Sequence, residues 1–199
     1  MHRPDKQSFY KKAFSDIAKI NYKNVLDVCC GDLQCIKDIN KFERYVGVDA
    51  VKELIDIARI TYPHAETHLS KIEDFNTDEK FDLIVCFEAY GFNKDPLKEG
   101  LTYTPEYVDK LFEKIKSFHK DTSYLAINLG PQLLEEHESF VKDFISTNYD
   151  ILNFYQYGRW QKKYPYHIAK LISYLIDLFP RITKTSKNKH LYYFLKRKV

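Results

Sequence analysis

No apolar run in the 199-residue sequence approaches the roughly 18 to 20 residues that a membrane-spanning helix needs. The opening M-H-R-P-D-K-Q-S also lacks the apolar segment of a secretory signal. Both absences point to the cytosol. Cysteine is scarce: Cys29, Cys30, Cys35 and Cys86 are the four, three of them within seven residues and none in a C-x-x-C pair. That pattern excludes a disulfide framework, argues against a zinc site, and leaves reduced thiols with no metal expected. Glycine is short where it would matter most, because the stretch Cys29 to Leu33 keeps only Gly31. The 44% hydrophobic content fits a single globular domain of ordinary size.

What the chain does have is a pair of acids on two apolar runs. Val25 to Leu33 reads V-L-D-V-C-C-G-D-L, and twenty-two positions past Asp27 the run Tyr45-Val46-Gly47-Val48 ends in Asp49. A strand, a tight turn and a helix, followed about 20 residues later by an acid at the tip of the next strand, is how an α/β sheet holds a nucleotide. The turn lets backbone approach the ligand, and the second acid accepts hydrogen bonds from the ribose. A dinucleotide fingerprint wants three glycines, however, and Asp32 would repel a pyrophosphate. The loop therefore fits a cofactor without phosphates better than a nicotinamide or a flavin.

Hydrophobic periodicity predicts alternating strands and helices without repeats. Helices are expected at 6–20, near 34–40, at 51–61 with Leu54, Ile57, Ala58 and Thr61 on one face, at 105–118 and at 133–147. Thr104 followed by Pro105 is a start signal, since the hydroxyl caps the first turn and proline presets its φ. Strands are expected at 24–28, 45–48, 67–69, 81–87, 123–129, 149–155 and 190–195. The predominantly apolar F-D-L-I-V-C-F marks a strand buried on both faces of a parallel sheet. Right-handed crossovers then place helices on both faces, and ligands bind beyond the carboxyl ends of the strands.

Charge is unevenly spread. Residues 158–199 hold eleven bases against one acid, a balance of +10, while residues 1–157 hold twenty against twenty-seven, a balance of −7. Such asymmetry concerns partners: a phosphorylated substrate, RNA or an anionic membrane surface, with a solvated basic face as the alternative. Within that segment, Ile168, Leu171, Ile172, Leu175, Ile176 and Phe179 recur at helical spacing. The stripe either packs over the sheet or cleft, or docks on a membrane surface.

Four segments, in order, resemble the motifs of class I methyltransferases that use S-adenosylmethionine. They are V-L-D-V-C-C-G-D-L at 25–33, Y-V-G-V-D-A at 45–50 with Ala58-Arg59, F-D-L-I-V-C at 81–86 and S-Y-L-A-I-N at 123–128, and the resemblance covers 24–130. It implies a Rossmann-like three-layer αβα sandwich around a seven-stranded, mostly parallel sheet whose last strand is antiparallel. Residues 1–199 would form one domain: a helical cap (1–22), a cofactor-binding core (23–148) and a basic, aromatic-rich strand-helix-strand (149–199). The resemblance places Asp27 near the methionine amino group, Gly31 under the cofactor, Asp49 at the ribose, and Ala50 and Val51 beside the adenine. Ile72 would meet the adenine edge, with Ser70 or Lys71 where the family often has an acid. Cys29 in the loop and Phe87 after the fourth strand complete the expected cofactor set.

Cys29 and Leu33 stand where the family has glycines. A non-glycine at 29 is expected to take an ordinary backbone conformation, because positive φ is costly with a Cβ. Strand four ends in Phe87-Glu88-Ala89-Tyr90, which the motif register sets beside the transferable methyl. Glu88 and then Tyr90 are candidates for orienting or deprotonating the acceptor, although Glu88 could also cap a helix or pair with a lysine. His167, at the start of the apolar stripe, is a third candidate, whereas His119 and His137 are expected at the solvated surface. The motifs of DNA-base methyltransferases are missing, so no DNA partner is expected. The expected acceptor is a small molecule, anionic (phosphorylated) or sugar-linked. The alternatives are an RNA methyltransferase using the basic tail and a non-catalytic S-adenosylmethionine-binding protein.

Overall fold

The computed structural model describes residues 4–39, 41–89, 104–158 and 189–199. The chain runs α1 (Pro4–Ile17), β1 (Asn24–Val28), a 3-10 turn (Gln34–Lys37), β2 (Arg44–Asp49), α2 (Lys52–Thr61), β3 (Glu66–Leu69) and β4 (Phe81–Cys86). It continues through α3 (Pro105–Ser117), β5 (His119–Leu129), α4 (Pro131–Asn148), β6 (Tyr149–Gly158) and β7 (Lys189–Arg197). The described strands form one seven-stranded sheet in the order β3-β2-β1-β4-β5-β7-β6. β1 to β5 pair in parallel, and β7 runs antiparallel to β5 and β6. This is the expected Rossmann-like architecture with its last strand reversed.

Alternation along the central strands builds a core on each face. Leu26, Val28, Ile84, Cys86 and Ile127 pack with the α3 face Val108, Leu111, Phe112 and Ile115, and with Val141 and Ile145 of α4. On the other side Val25, Leu83, Val85 and Ala126 pack with Phe9, Ala13 and Ile17 of α1 and with Ile55 and Ala58 of α2. Each buried Leu, Ile, Val or Phe among them contributes about 1.5–3 kcal/mol by leaving water. Thr104 caps α3 by accepting from the Tyr107 N–H at 3.2 Å, a bond worth about 1 kcal/mol. Among the described residues no helix is long and apolar enough to cross a membrane.

Several expectations are corrected. The helix near 34–40 is a single 3-10 turn, and α1 stops at Ile17. α2 buries Ile55 and Ala58, whereas Ile57 is 48% exposed, so the helix is rotated relative to the predicted face. His119 is not a solvated helix end: β5 starts there, paired with Phe81, and the buried ring meets Ser123 Oγ at 2.6 Å through Nδ1. Burial, with the nearby Arg197 charge, pushes its pKa down to about 3. It also lies at the far end of β5 from the strand carboxyl ends. His137 sits half-buried at a kink in α4, φ −130°. The apolar stripe 166–179 lies outside the described residues.

Candidate active site

The loop after β1 is built from left-handed residues: Cys29, Gly31 and Leu33 have φ of 58°, 57° and 61°. The ordinary conformation expected at Cys29 is therefore wrong. Left-handed non-glycine residues cost of order 1–3 kcal/mol and persist where surrounding structure over-determines them. Here the Cys30 N–H donates to Val48 O at 3.1 Å and the Leu33 N–H to Cys30 O at 3.0 Å. Between them the Gly31 N–H donates to Asp49 Oδ2 at 2.9 Å. The pairing of Val28 with Val48 before Cys29, and the Cys30 and Gly31 bonds to β2 after it, hold its backbone in this state.

Leu33, completely buried, occupies room that β2 leaves open. A Cβ on Gly47 would stand 2.6 Å from Leu33 Cδ2 and 2.8 Å from Cys30 Sγ. The glycine missing from the loop is in effect compensated by a glycine in the neighbouring strand.

Asp49, at the end of β2, is 8% exposed. Its Oδ1 accepts from the Val51 N–H at 2.9 Å, so with Gly31 the carboxylate binds backbone on both sides. Ala50 is exposed and Val51 is 46% exposed, leaving apolar surface next to the acid. The Ser70 N–H donates to Asp49 O at 2.9 Å, which brings the turn after β3 alongside. In that turn Ile72 is buried and Lys71 exposed. Tyr107 of α3 donates to Glu73 Oε1 at 2.9 Å and pins the turn.

Asp27 is 2% exposed and accepts from the Tyr45 hydroxyl at 2.6 Å. Burial pushes its pKa up to about 7; the Asp49 charge adds to the rise and the Tyr45 bond opposes it. A carboxyl near its midpoint at neutral pH is poised to receive a cation. α1 covers this face. Phe87 is buried, and its ring meets Phe9 at 5.2 Å, Tyr10 at 6.0 Å and Phe14 at 6.1 Å. Glu88 follows with φ 56°, its N–H donating to Asn128 Oδ1 at 2.7 Å and its Oε1 accepting from Asn128 Nδ2 at 2.9 Å.

Asp27, Cys29, Gly31, Asp49, Ala50, Val51, Lys71, Ile72, Phe87 and Glu88 thus all stand at or just beyond the carboxyl ends of β1 to β4, apart from Asp27 within β1. Tyr90 and His167 lie outside the described residues. Sequence reasoning missed Tyr45, Gly47, Asn128 and Tyr10. Asn128 carried a signal, being the polar residue in the apolar run L-A-I-N-L; the partners of Tyr45 and Gly47 appear only across strands.

This strand order, with a left-handed turn at Gly31 and acids on β1 and β2, defines a class I methyltransferase fold. Residues 25–108 match the model of a family described as a methyltransferase domain, and the fold around them is that of class I, Rossmann-like methyltransferases that use S-adenosylmethionine. It is 31% identical over 159 residues to a protein of Invertebrate iridescent virus 6 provisionally named methyltransferase 235L, across 77% of this chain. The match takes in 59% of that curated relative's length. The N-methyltransferase NodS of Bradyrhizobium japonicum WM9, in complex with S-adenosyl-L-homocysteine, superposes with a TM-score of 0.67 at 12% identity, over 98% of this chain and 88% of that one. A TehB-like S-adenosylmethionine-dependent methyltransferase of Corynebacterium glutamicum gives 0.58 at 15% identity, over 95% and 88%. At these identities the likeness is one of fold.

Proposed function

We propose that the chain is an S-adenosylmethionine-dependent methyltransferase acting on a small molecule. The observation that carries this reading is the buried acid pair. Asp27 is buried, which pushes its pKa up to about 7 and which an ammonium group beside it would offset, and Asp49 is fixed by Gly31 and Val51 beside exposed apolar surface. The residues present fit the cofactor: Asp27 for the amino group, Cys29 and Gly31 under the sulfur, Asp49 for the ribose, Ala50, Val51, Lys71 and Ile72 for the adenine, Phe87 near the methyl. A bound sulfonium supplies an already activated methyl. The protein's share is to align the acceptor and exclude water, and the aromatic cover from α1 supports the second task.

Calorimetric titration with S-adenosylmethionine over a pH series tests the reading. The ligand's ammonium favours ionised Asp27, so the Kd is expected to fall severalfold from pH 6 to about pH 7.5, below the range in which the ligand's own amino group loses its proton. The free protein runs the opposite way. A carboxyl whose folded pKa is raised lends stability below its unfolded value, and that stability is lost as pH rises through about 7. Asp27→Asn should bind weakly with a flat profile; a flat profile in the unaltered protein refutes the assignment.

The acceptor's class extends the reading. The +10 balance of residues 158–199 supports a phosphorylated or sugar-linked molecule bound through its anionic part. Arg159, Lys162 and Lys163 lie outside the described residues. Replacing all three by alanine is expected to raise the acceptor KM several-fold with kcat retained; an unchanged KM removes the basic segment from the acceptor site.

A further inference from the structure

Glu88 is held in a way that a capping or surface carboxylate would not need. It is left-handed at φ 56°, a strained state for a residue with a Cβ, at the point where β4 ends. One side-chain amide fixes it twice: Asn128 Oδ1 takes the Glu88 N–H at 2.7 Å, and Asn128 Nδ2 donates to Oε1 at 2.9 Å. Asn128 is fully buried at the end of β5, so the clamp is anchored in the sheet rather than in solvent. Glu88 and Asp27 both raise the pKa of Tyr10, after the larger effect of its burial. With Oε1 on Asn128, the Glu88 carboxylate is held beside β5 at the carboxyl end of the sheet, directly after Phe87, whose ring packs under α1.

We propose that Glu88, oriented by Asn128 as a positioning residue, receives a cationic nitrogen at the transfer point, so that the methyl acceptor is an amine. The inference rests on the methyl-donor reading above. A carboxylate stabilises an ammonium by direct charge pairing, but it is far too weak a base to ionise an alcohol. In the step itself the amine lone pair forms the N–C bond while the C–S bond breaks, its electron pair staying on sulfur as a neutral thioether. That lone pair is freed beforehand, when the bound ammonium gives one proton through Glu88 to water; after the step the positive charge that left sulfur is on the methylated nitrogen, still paired with Glu88.

The test compares two probes by calorimetry on the whole chain. S-adenosylhomocysteine lacks the methyl, whereas sinefungin carries a charged amine on the carbon that replaces the methyl sulfonium. The unaltered protein is expected to bind sinefungin about tenfold more tightly than S-adenosylhomocysteine. Glu88→Gln should abolish that preference while leaving S-adenosylhomocysteine affinity within about twofold. Asn128→Ala should shrink the preference several-fold, again with S-adenosylhomocysteine binding retained, a split that general loss of structure would not produce. A preference absent from the unaltered protein, or kept in Glu88→Gln, overturns the proposal. Failure of both probes to bind overturns the methyl-donor reading, and this inference with it.

Discussion

Asp49→Ala is expected to weaken S-adenosylmethionine binding roughly a hundredfold, as read by calorimetry. The figure follows from what the carboxylate does. Its two oxygens accept the Gly31 and Val51 N–H groups at 2.9 Å each, and on the proposed function it would also accept from the ribose. Hydrogen bonds to a charged group are worth about 1.5–3 kcal/mol, and about 2.7 kcal/mol is a factor of a hundred. Part of the loss should come through the protein. Without the Asp49 acceptor, the left-handed run from Cys29 to Leu33 loses the bond that holds its middle, and the Gly31 amide should exchange faster with solvent. Asp49→Asn, which keeps one acceptor oxygen, should fall between the two. An alanine variant whose Kd stays within threefold of the original would remove Asp49 from the cofactor site.

The elements that sequence reasoning found are those whose pattern is local. Leu83–Cys86 is an unbroken apolar run within β4, and such runs are strands buried on both faces. The Thr104-Pro105 start needs only its own turn. The spacing of Asp27 and Asp49 survives because consecutive parallel strands end on the same edge of the sheet. What escaped depends on partners far along the chain. Cys29 takes a positive φ because its neighbours are bonded to Val48 and Asp49, nearly 20 residues away. The Asn128 clamp needs the β4–β5 register, in which Cys86 faces Ile127. His119 joined β5 because Phe81 pairs with it, and no periodicity within 105–118 announces that pairing.

The Leu33–Gly47 contact is the sharpest case of such a distant dependence, and it carries the largest expected effect on stability. Gly47→Ala would place a Cβ 2.6 Å from Leu33 Cδ2 and 2.8 Å from Cys30 Sγ. Both neighbours are buried side chains, Leu33 wholly and Cys30 at 8% exposure, so their shift must be taken up within the packed loop. Overpacking of this kind costs about 1–3 kcal/mol, and at about 2–4 °C per kcal/mol for a chain of this size the Tm should drop by several degrees. Leu33→Ala alone should also destabilise, by about 2–5 kcal/mol, through the cavity it opens. Together the two changes should cost clearly less than their sum, because the alanine methyl at 47 enters space that Leu33 vacates. Residues in contact couple by about 0.5–3 kcal/mol, well within reach of thermal denaturation of the four proteins in the cycle. Strict additivity would mean that the loop does not rest on β2 as described. A favourable coupling would establish that the glycine the loop lacks at position 33 has its counterpart at position 47.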